Sequence, residues 1–484
     1  MKISVLFLAP PTESQPESLA HDLNLDKLLS AGTISRLLTV CTPDERRARV
    51  LLFKALDDPE VFASMLALSD SLTALSQAST AQKNTQTQLE GLILSRELCA
   101  STLEALDRLE DFITPLKTNP LMSRIGVFLD ENRSAKERLS EAVSSTENDL
   151  ELLSGLELST AMKLSKQSHA DSLHERLCEL IKGMGIDALP KKRSLRLTPE
   201  LSNGYSRLLP ETFSRLSGMD SLAVSIVDEL LPLRYEIESI REIISLQRKA
   251  IAAGFSVAMP EFTEERRFKA NNACDISLLV KNEPPIPNDI DFDETEPVSF
   301  ITGANGGGKT TYLRCVASNL LFALAGCRVF AESALVGGFD RIRAHFPADE
   351  TFTDSGRLVE EMQRVSSILE RSGKGSFVFM NETYSGTDDI KGAKLTLETA
   401  RKLRDSGAFA LWVTHFHEVN EEGFGSLTTV INENDSSKRT FRIVKRRGGG
   451  SSFAVDILKK YHLDRESLEA TMNTDSMKGQ AAEC

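Results

Sequence analysis

Eight consecutive residues, Gly303-Ala304-Asn305-Gly306-Gly307-Gly308-Lys309-Thr310, restrict this chain more than any other feature. They fit G-x-x-x-x-G-K-[ST], a loop whose backbone N–H groups wrap a phosphate. Glycine reaches backbone angles that side chains forbid, so successive N–H groups can turn toward one anion. Lys309 is placed to bridge outer phosphates and the Thr310 hydroxyl to ligate Mg²⁺, with Thr311 beside it. The same residues should open a helix, whose N-terminus favours negative charge. The flanks agree with this. Val298-Ser299-Phe300-Ile301-Thr302 is short, apolar and β-prone, and Leu313, Val316, Leu320 and Leu324 follow at helical spacing. A flexible glycine-rich turn would need no such flanks.

The chain has 484 residues, too many for one compact core, so two or more domains are expected. Lysine and arginine total 57 against 70 aspartates and glutamates, a net charge of −13. That balance argues against a broadly basic nucleic-acid coat, and any such contact must be local. The cysteines lie far apart and none forms a C-x-x-C pair. A reduced, cytoplasmic interior without a zinc site fits that usage. The apolar run Ile3 to Pro10 meets Pro10-Pro11 too early for a secretory core. No stretch has the length of a membrane-spanning helix, so no membrane role is expected.

From about 20 to 255 the sequence reads as long helices. Val61, Met65, Leu68, Leu72 and Leu75 step by four and three, and so do Leu230, Leu233, Ile237, Ile240 and Ile244. That spacing is the seam of helices packed lengthwise. A more polar stretch follows 130, ending in the basic cluster Lys191-Lys192-Arg193 with Arg196. It fits a protruding helical arm around 125–200 with a charged tip, or a solvated surface loop. Prolines at 284, 285 and 287 punctuate the chain, and beyond them β-like runs alternate with helices: Phe339 to Phe346, Phe377 to Met380, Phe409 to Val413. The expected organisation is α plus α/β. A helical lever or core domain spans 1–270, an α/β P-loop domain 271–470, and a disordered tail 471–484.

A P-loop needs a second strand carrying polar groups to the metal and the water. Phe377-Val378-Phe379-Met380 followed by Asn381 and Glu382 has that form. Glu382 is the candidate to orient or deprotonate water. Asn381 stands where an aspartate is expected; it keeps an acceptor oxygen and gives up the charge. A further β-run ends at Thr414-His415-Phe416-His417-Glu418. His415 follows a strand in the order expected of a γ-phosphate sensor. A structural histidine and, from the His-x-His-Glu spacing, a metal ligand are the other readings.

Taken together, these blocks resemble the ATPase domain of the MutS mismatch-repair family. Thr302 to Arg314 is similar to the family's T-G-P-N-M-G-G-K-S-T-Y-[LM]-R. Met380 to Thr387, with Gly392, resembles its D-E-[IL]-G-R-G-T-S block. Thr414-His415-Phe416 resembles T-H-[YF], Ser452 to Val455 resembles S-Y-G-[IV], and Pro287 to Ile290 resembles the segment before the P-loop strand. The resemblance implies an ABC-type ATPase using ATP and Mg²⁺, with Lys309, Glu382 and His415 catalytic, Thr310 and Asn381 at the metal, and residues 303–311 around the phosphates. It implies a homodimer whose heads complete each other's sites, Ser355 or Gly356 meeting the partner's nucleotide at a helix start. Where the family stacks a phenylalanine on adenine this chain has Pro285, with Ile286 beside it.

The resemblance also implies DNA binding: an ATP-dependent clamp on duplex, mismatched or branched DNA. Lys191, Lys192, Arg193 and Arg196 are the candidates for backbone contacts. The early Phe-x-Glu mismatch wedge is not found at its family position, so a truncated, divergent member with lever and ATPase regions is expected. The alternative is an ATP-dependent dimerisation switch that signals to a protein partner with weak hydrolysis.

Overall fold

The computed structural model describes residues 3–85, 88–146, 156–157, 162–164, 194–195, 219–347, 357–416, 419, 423–431 and 439–445. Two compact units divide the chain, Met1–Pro10 with Leu51–Arg241 and Pro11–Val50 with Glu242–Cys484. Helix and sheet are both present. Among the described residues no helix is long and apolar enough to cross a membrane.

The first unit is built on helices. Asp58 caps the helix Pro59–Lys83 by accepting from Glu60 N, and Pro59 occupies its first turn, where its missing N–H costs nothing. Val61, Met65, Leu68, Leu72 and Leu75 form its buried stripe. It packs on the helix Gln88–Ile113, which in turn meets Arg133–Ser145. Among the described residues Asp220–Ala252 is the longest helix, with Pro232 inside it. Its 33 residues correspond to about 50 Å of rise. Leu230, Leu233, Ile237 and Ile240 are buried along one face. On this helix Glu236 is buried and accepts from Ser4 Oγ, Val5 N and Leu6 N at 2.8, 2.8 and 3.2 Å on one carboxylate oxygen. One side chain thus satisfies an N-terminal segment that has no ladder of its own. Of the arm expected around 125–200, the described part comprises residues 125–146 and three short antiparallel strands, Leu156–Glu157, Met162–Leu164 and Ser194–Leu195.

Two sheets make the frame of the second unit. The larger has six strands in the order Arg439–Lys445, Gly425–Ile431, Val298–Thr302, Phe409–Val413, Ser376–Asn381, Arg341–His345. All neighbours run parallel except the first pair, an antiparallel hairpin. The three central strands are buried at every position, which explains their unbroken apolar runs: helices cover both faces of a parallel sheet. Phe300, Val378, Met380 and Trp412 form the core on one face with Ala393, Ala400 and Leu403 of the helix Asp389–Asp405. The smaller sheet orders Pro260–Thr263, Ser333–Gly337, Arg267–Ala273, Asn288–Phe292.

The β-like run Phe339 to Phe346 holds one strand, Arg341–His345, at the edge of the large sheet, while Ser333–Gly337 just before it lies in the small one. Gly338, at φ +72°, turns the chain between them, against the side chain and backbone of Arg266. A side chain there would meet both a forbidden angle and a filled space.

Candidate functional site

The strand Val298–Thr302 delivers the glycine loop to the carboxyl edge of the large sheet, between Gly425–Ile431 and Phe409–Val413. Ligands of open α/β sheets gather at this edge. Gly303, Gly306 and Gly308 have φ of +134°, +72° and +91°, and Gly308 starts the helix Lys309–Leu324 with no side-chain cap. The first N–H groups of that helix therefore lack the usual side-chain partner. Thr429 of the neighbouring strand presses on the loop. A Cβ on Gly303 would lie 2.5 Å from Thr429 Oγ1, and one on Gly307 2.7 Å from Thr429 Cγ2 and 2.9 Å from Ala304 O.

Lys309 is buried and folds back over the loop. Its Nζ donates to Gly303 O at 2.9 Å, Ala304 O at 3.2 Å and Asn305 Oδ1 at 3.2 Å. Burial lowers its pKa; the nearby Glu382 carboxylate opposes that shift and Arg439 adds to it. The next residue, Thr310, donates from Oγ1 to Asn381 Oδ1 at 3.1 Å. Asn381 closes the strand Ser376–Asn381 and is itself buried. A hydroxyl from the loop helix and an amide oxygen from the second strand along are thus brought together, 71 residues apart in sequence. Tyr312 anchors the same helix by donating from its hydroxyl to Asp289 O at 2.9 Å.

Glu382 follows at φ +48°, its N–H donating to Val413 O at 2.8 Å. Tyr384 is also left-handed, at φ +67°, with its hydroxyl 3.1 Å from Thr399 Oγ1. Non-glycine residues in this region cost about 1 kcal/mol or more each and concentrate at functional sites. His415 follows the strand Phe409–Val413 and lies against Phe416 with centroids 4.2 Å apart and the rings tilted by 47°. Its Nε2 lies 3.9 Å from the exposed Asp389 Oδ1. Gly392 lies against the Phe416 ring, in a space that admits no Cβ.

Sequence reading missed two residues here. Thr429 shapes the loop from behind; its Oγ1 is buried with no hydrogen-bond partner. Phe441 lies beside Gly308, 3.4 Å from a Cβ built there, in the left-handed region at φ +55° and 44% exposed. An aromatic between Thr440 and Arg442 was its only signal. Ile286 is also partly exposed, and its carbonyl accepts from Asn288 Nδ2, the amide that also donates to Phe441 O at 3.1 Å. Ile286 and Phe441 are therefore both tied to one asparagine. Ser355, Gly356, His417, Glu418, Lys191, Lys192, Arg193, Arg196 and Ser452 to Val455 lie outside the described residues, apart from the short strand Ser194–Leu195 within the basic cluster.

The residues suit a magnesium–phosphate group. Thr310, Asn381 and Glu382 offer hard oxygen donors, which Mg²⁺ prefers. The loop has room only for glycine at 303 and 307, as a backbone cradle for an anion requires. Among the described residues no group of three or more histidine, cysteine, aspartate or glutamate side chains forms a metal cluster.

A central parallel sheet, a glycine loop opening a helix and polar groups closing the adjacent strands together define a mixed helix-and-sheet protein compatible with an ATPase-type fold. Residues 299–462 match the family model of MutS domain V. Over 215 residues, 42% of this chain, the sequence is 29% identical to the DNA mismatch repair protein MutS of Acetivibrio thermocellus. Through this region the chain is similar to the MutS family. The match spans 25% of that relative's length.

Proposed function

We propose that this chain binds and hydrolyses ATP with Mg²⁺ at the glycine loop, and that the nucleotide controls a dimeric clamp on DNA. The contact between Thr310 Oγ1 and Asn381 Oδ1 at 3.1 Å carries the reading. It joins the loop helix to the second strand at the point where a phosphate-bound metal is held in P-loop sites. Bound Mg²⁺ would supply charge neutralisation at the phosphates, with Thr310 and Asn381 holding it. Lys309 would turn its ammonium from Gly303 O and Ala304 O to the outer phosphates. Residues 303–311 would present N–H groups around them. Glu382 would orient the attacking water or take its proton, and His415 would sense the terminal phosphate. The exposed Phe441 ring, with Ile286, would give the base an apolar face in place of Pro285.

Similarity to the MutS family supports a role in DNA repair on duplex, mismatched or branched DNA. In this reading a homodimer forms through the ATPase regions with Ser355 in trans, and Lys191, Lys192, Arg193 and Arg196 contact the DNA backbone. The neutral Asn381 favours a second reading, an ATP-dependent switch with slow hydrolysis, because an amide neutralises less metal charge than a carboxylate.

Calorimetry of the full chain with ATP and Mg²⁺ tests the site. Uptake should vanish in Lys309→Ala, and Glu382→Gln should bind ATP with turnover reduced on the order of 100-fold. Undiminished turnover in Glu382→Gln would remove that residue from the water. Gel shifts at two salt concentrations separate clamp from switch: binding should weaken steeply with salt, and none at low salt leaves the switch.

A further inference from the structure

Away from the glycine loop, the second unit holds a cavity of about 370 Å³ lined by Asp22, Arg343, His345, Arg364, Ser367 and Arg371 among others. Arg343 and His345 come from the edge strand Arg341–His345, two apart and so on the same side of it. Arg364, Ser367 and Arg371 come from the helix Arg357–Glu370 and the residue after it, at the three- and four-residue spacing of one helical face. Two elements thus bring three guanidinium groups to a single concavity.

Their charge is compensated only at a distance, by Asp22 acting on Arg364 and by Glu13 and Asp340 acting on Arg343. None of the three arginines has a carboxylate within ion-pair distance among the described residues, whereas the neighbouring Arg341 pairs with Glu13 and Asp340. Arg343 Nε is buried with no hydrogen-bond partner. Buried polar atoms in native proteins nearly always have one. Burial and the proximity of Arg341 and Arg371 lower the Arg343 pKa, with Glu13 and Asp340 too weak to restore it. His345 adds no positive charge at neutral pH. Burial and Arg364 push it down to about 4, although Glu361 Oε1 lies 3.3 Å from its Nε2. Asp22 is the one carboxyl lining the cavity.

We infer that this cavity is a binding site for a phosphate oxyanion, distinct from the glycine loop. A carboxylate presents two oxygens in one plane, and a single arginine fork occupies both. Three guanidinium groups and a serine hydroxyl match a tetrahedral group with more acceptor oxygens. A free phosphate or diphosphate and the backbone of a nucleic acid share this chemistry. The edge strand pairs with Ser376–Asn381 in register, His345 opposite Met380 and so one position from Asn381. An anion held at Arg343 would therefore fix the strand whose neighbour ends at Asn381.

The test is calorimetric titration of the full chain with inorganic pyrophosphate in parallel with Lys309→Ala and with Arg364→Gln/Arg371→Gln. Both of these arginines are exposed on the helix face, so the double variant should fold, which circular dichroism verifies. Pyrophosphate uptake should survive in Lys309→Ala and weaken about tenfold or more in the double variant, about 1.4 kcal/mol for each tenfold. Arg343→Gln should reproduce that loss from the floor of the cavity. Fluorescence anisotropy with a short duplex identifies the source. Equal weakening for duplex and pyrophosphate in the double variant assigns the site to a nucleic-acid backbone, and weakening for pyrophosphate alone assigns it to a free anion. Unchanged pyrophosphate affinity in both arginine variants, or complete loss of uptake in Lys309→Ala, overturns the inference.

Discussion

Substituting Gly303 by alanine should damage the loop through two separable causes. At φ +134° an alanine is strained, a cost of about 1–2 kcal/mol. Its Cβ would also lie 2.5 Å from Thr429 Oγ1 and 3.2 Å from Thr429 Cγ2. Overpacking of this kind costs about 1–3 kcal/mol. The total expected is about 2–5 kcal/mol. Thr429→Ala removes the two colliding side-chain atoms, and because Thr429 Oγ1 has no partner that change alone should cost little hydrogen bonding. In the double variant the backbone strain and the 3.2 Å approach of Thr429 N remain, so a coupling of about 1–3 kcal/mol should be recovered. The assay is urea unfolding followed by tryptophan fluorescence. Trp412 is the single tryptophan of the chain; it is buried and sits opposite Phe300 on the adjoining strand. It reports this sheet separately from the helical unit, which suits a chain of two units. A coupling below about 0.5 kcal/mol would refute the close approach of Thr429 as the reason glycine occupies 303.

Other outcomes follow from buried acids. Asp275 is buried and its pKa is pushed up to about 6 from 3.8 by desolvation, against hydrogen bonds from Ser277. A carboxyl raised in the folded state favours folding fully below pH 3.8 and loses that contribution as pH rises to about 6. Asp275→Asn should therefore be worth about 3 kcal/mol more at pH 7.5 than at pH 3.5 relative to the parent; a pH-independent difference in urea midpoint would contradict it. Glu236→Gln replaces one acceptor oxygen among the Ser4, Val5 and Leu6 donors by an amide donor. It should cost about 1–3 kcal/mol and speed hydrogen exchange at residues 5–7, and unchanged exchange there would show that the carboxylate does not hold the segment.

The strands Val298–Thr302 and Phe409–Val413 were legible because a strand covered on both faces must be apolar throughout. The helical seam at Met65, Leu68, Leu72 and Leu75 was legible because burial on one face leaves its period in the sequence. At the site, the glycines and Lys309 announced themselves through backbone geometry that only glycine permits. The contact of Thr310 with Asn381 was anticipated only as chemistry shared at a metal. Thr429 and Phe441 were not legible. Their importance comes from pressing on the loop across strands distant in sequence, and neither residue type nor period marks that. The small sheet was hidden for a related reason. Its strands are drawn from both sides of the glycine loop, and Ser333–Gly337, parted by Gly338 from the strand Arg341–His345 of the large sheet, was not among the β-like runs.

Asn288 takes part in three contacts: its amide donates to Ile286 O and Phe441 O and accepts from Ile443 N. It stands at the start of the small sheet's edge strand, while Phe441 and Ile443 belong to the outermost strand of the large one. A carboxamide carries the same pair of groups as a peptide unit, so this side chain works as a single rung between two ladders that otherwise end there. Loss of its nitrogen, as in spontaneous deamidation, would keep the rung's acceptor half and set two oxygens against each other on the donor half. The seam between the sheets would then open on the side facing the glycine loop, and chemical ageing of one amide would be felt where Phe441 lies over Gly308.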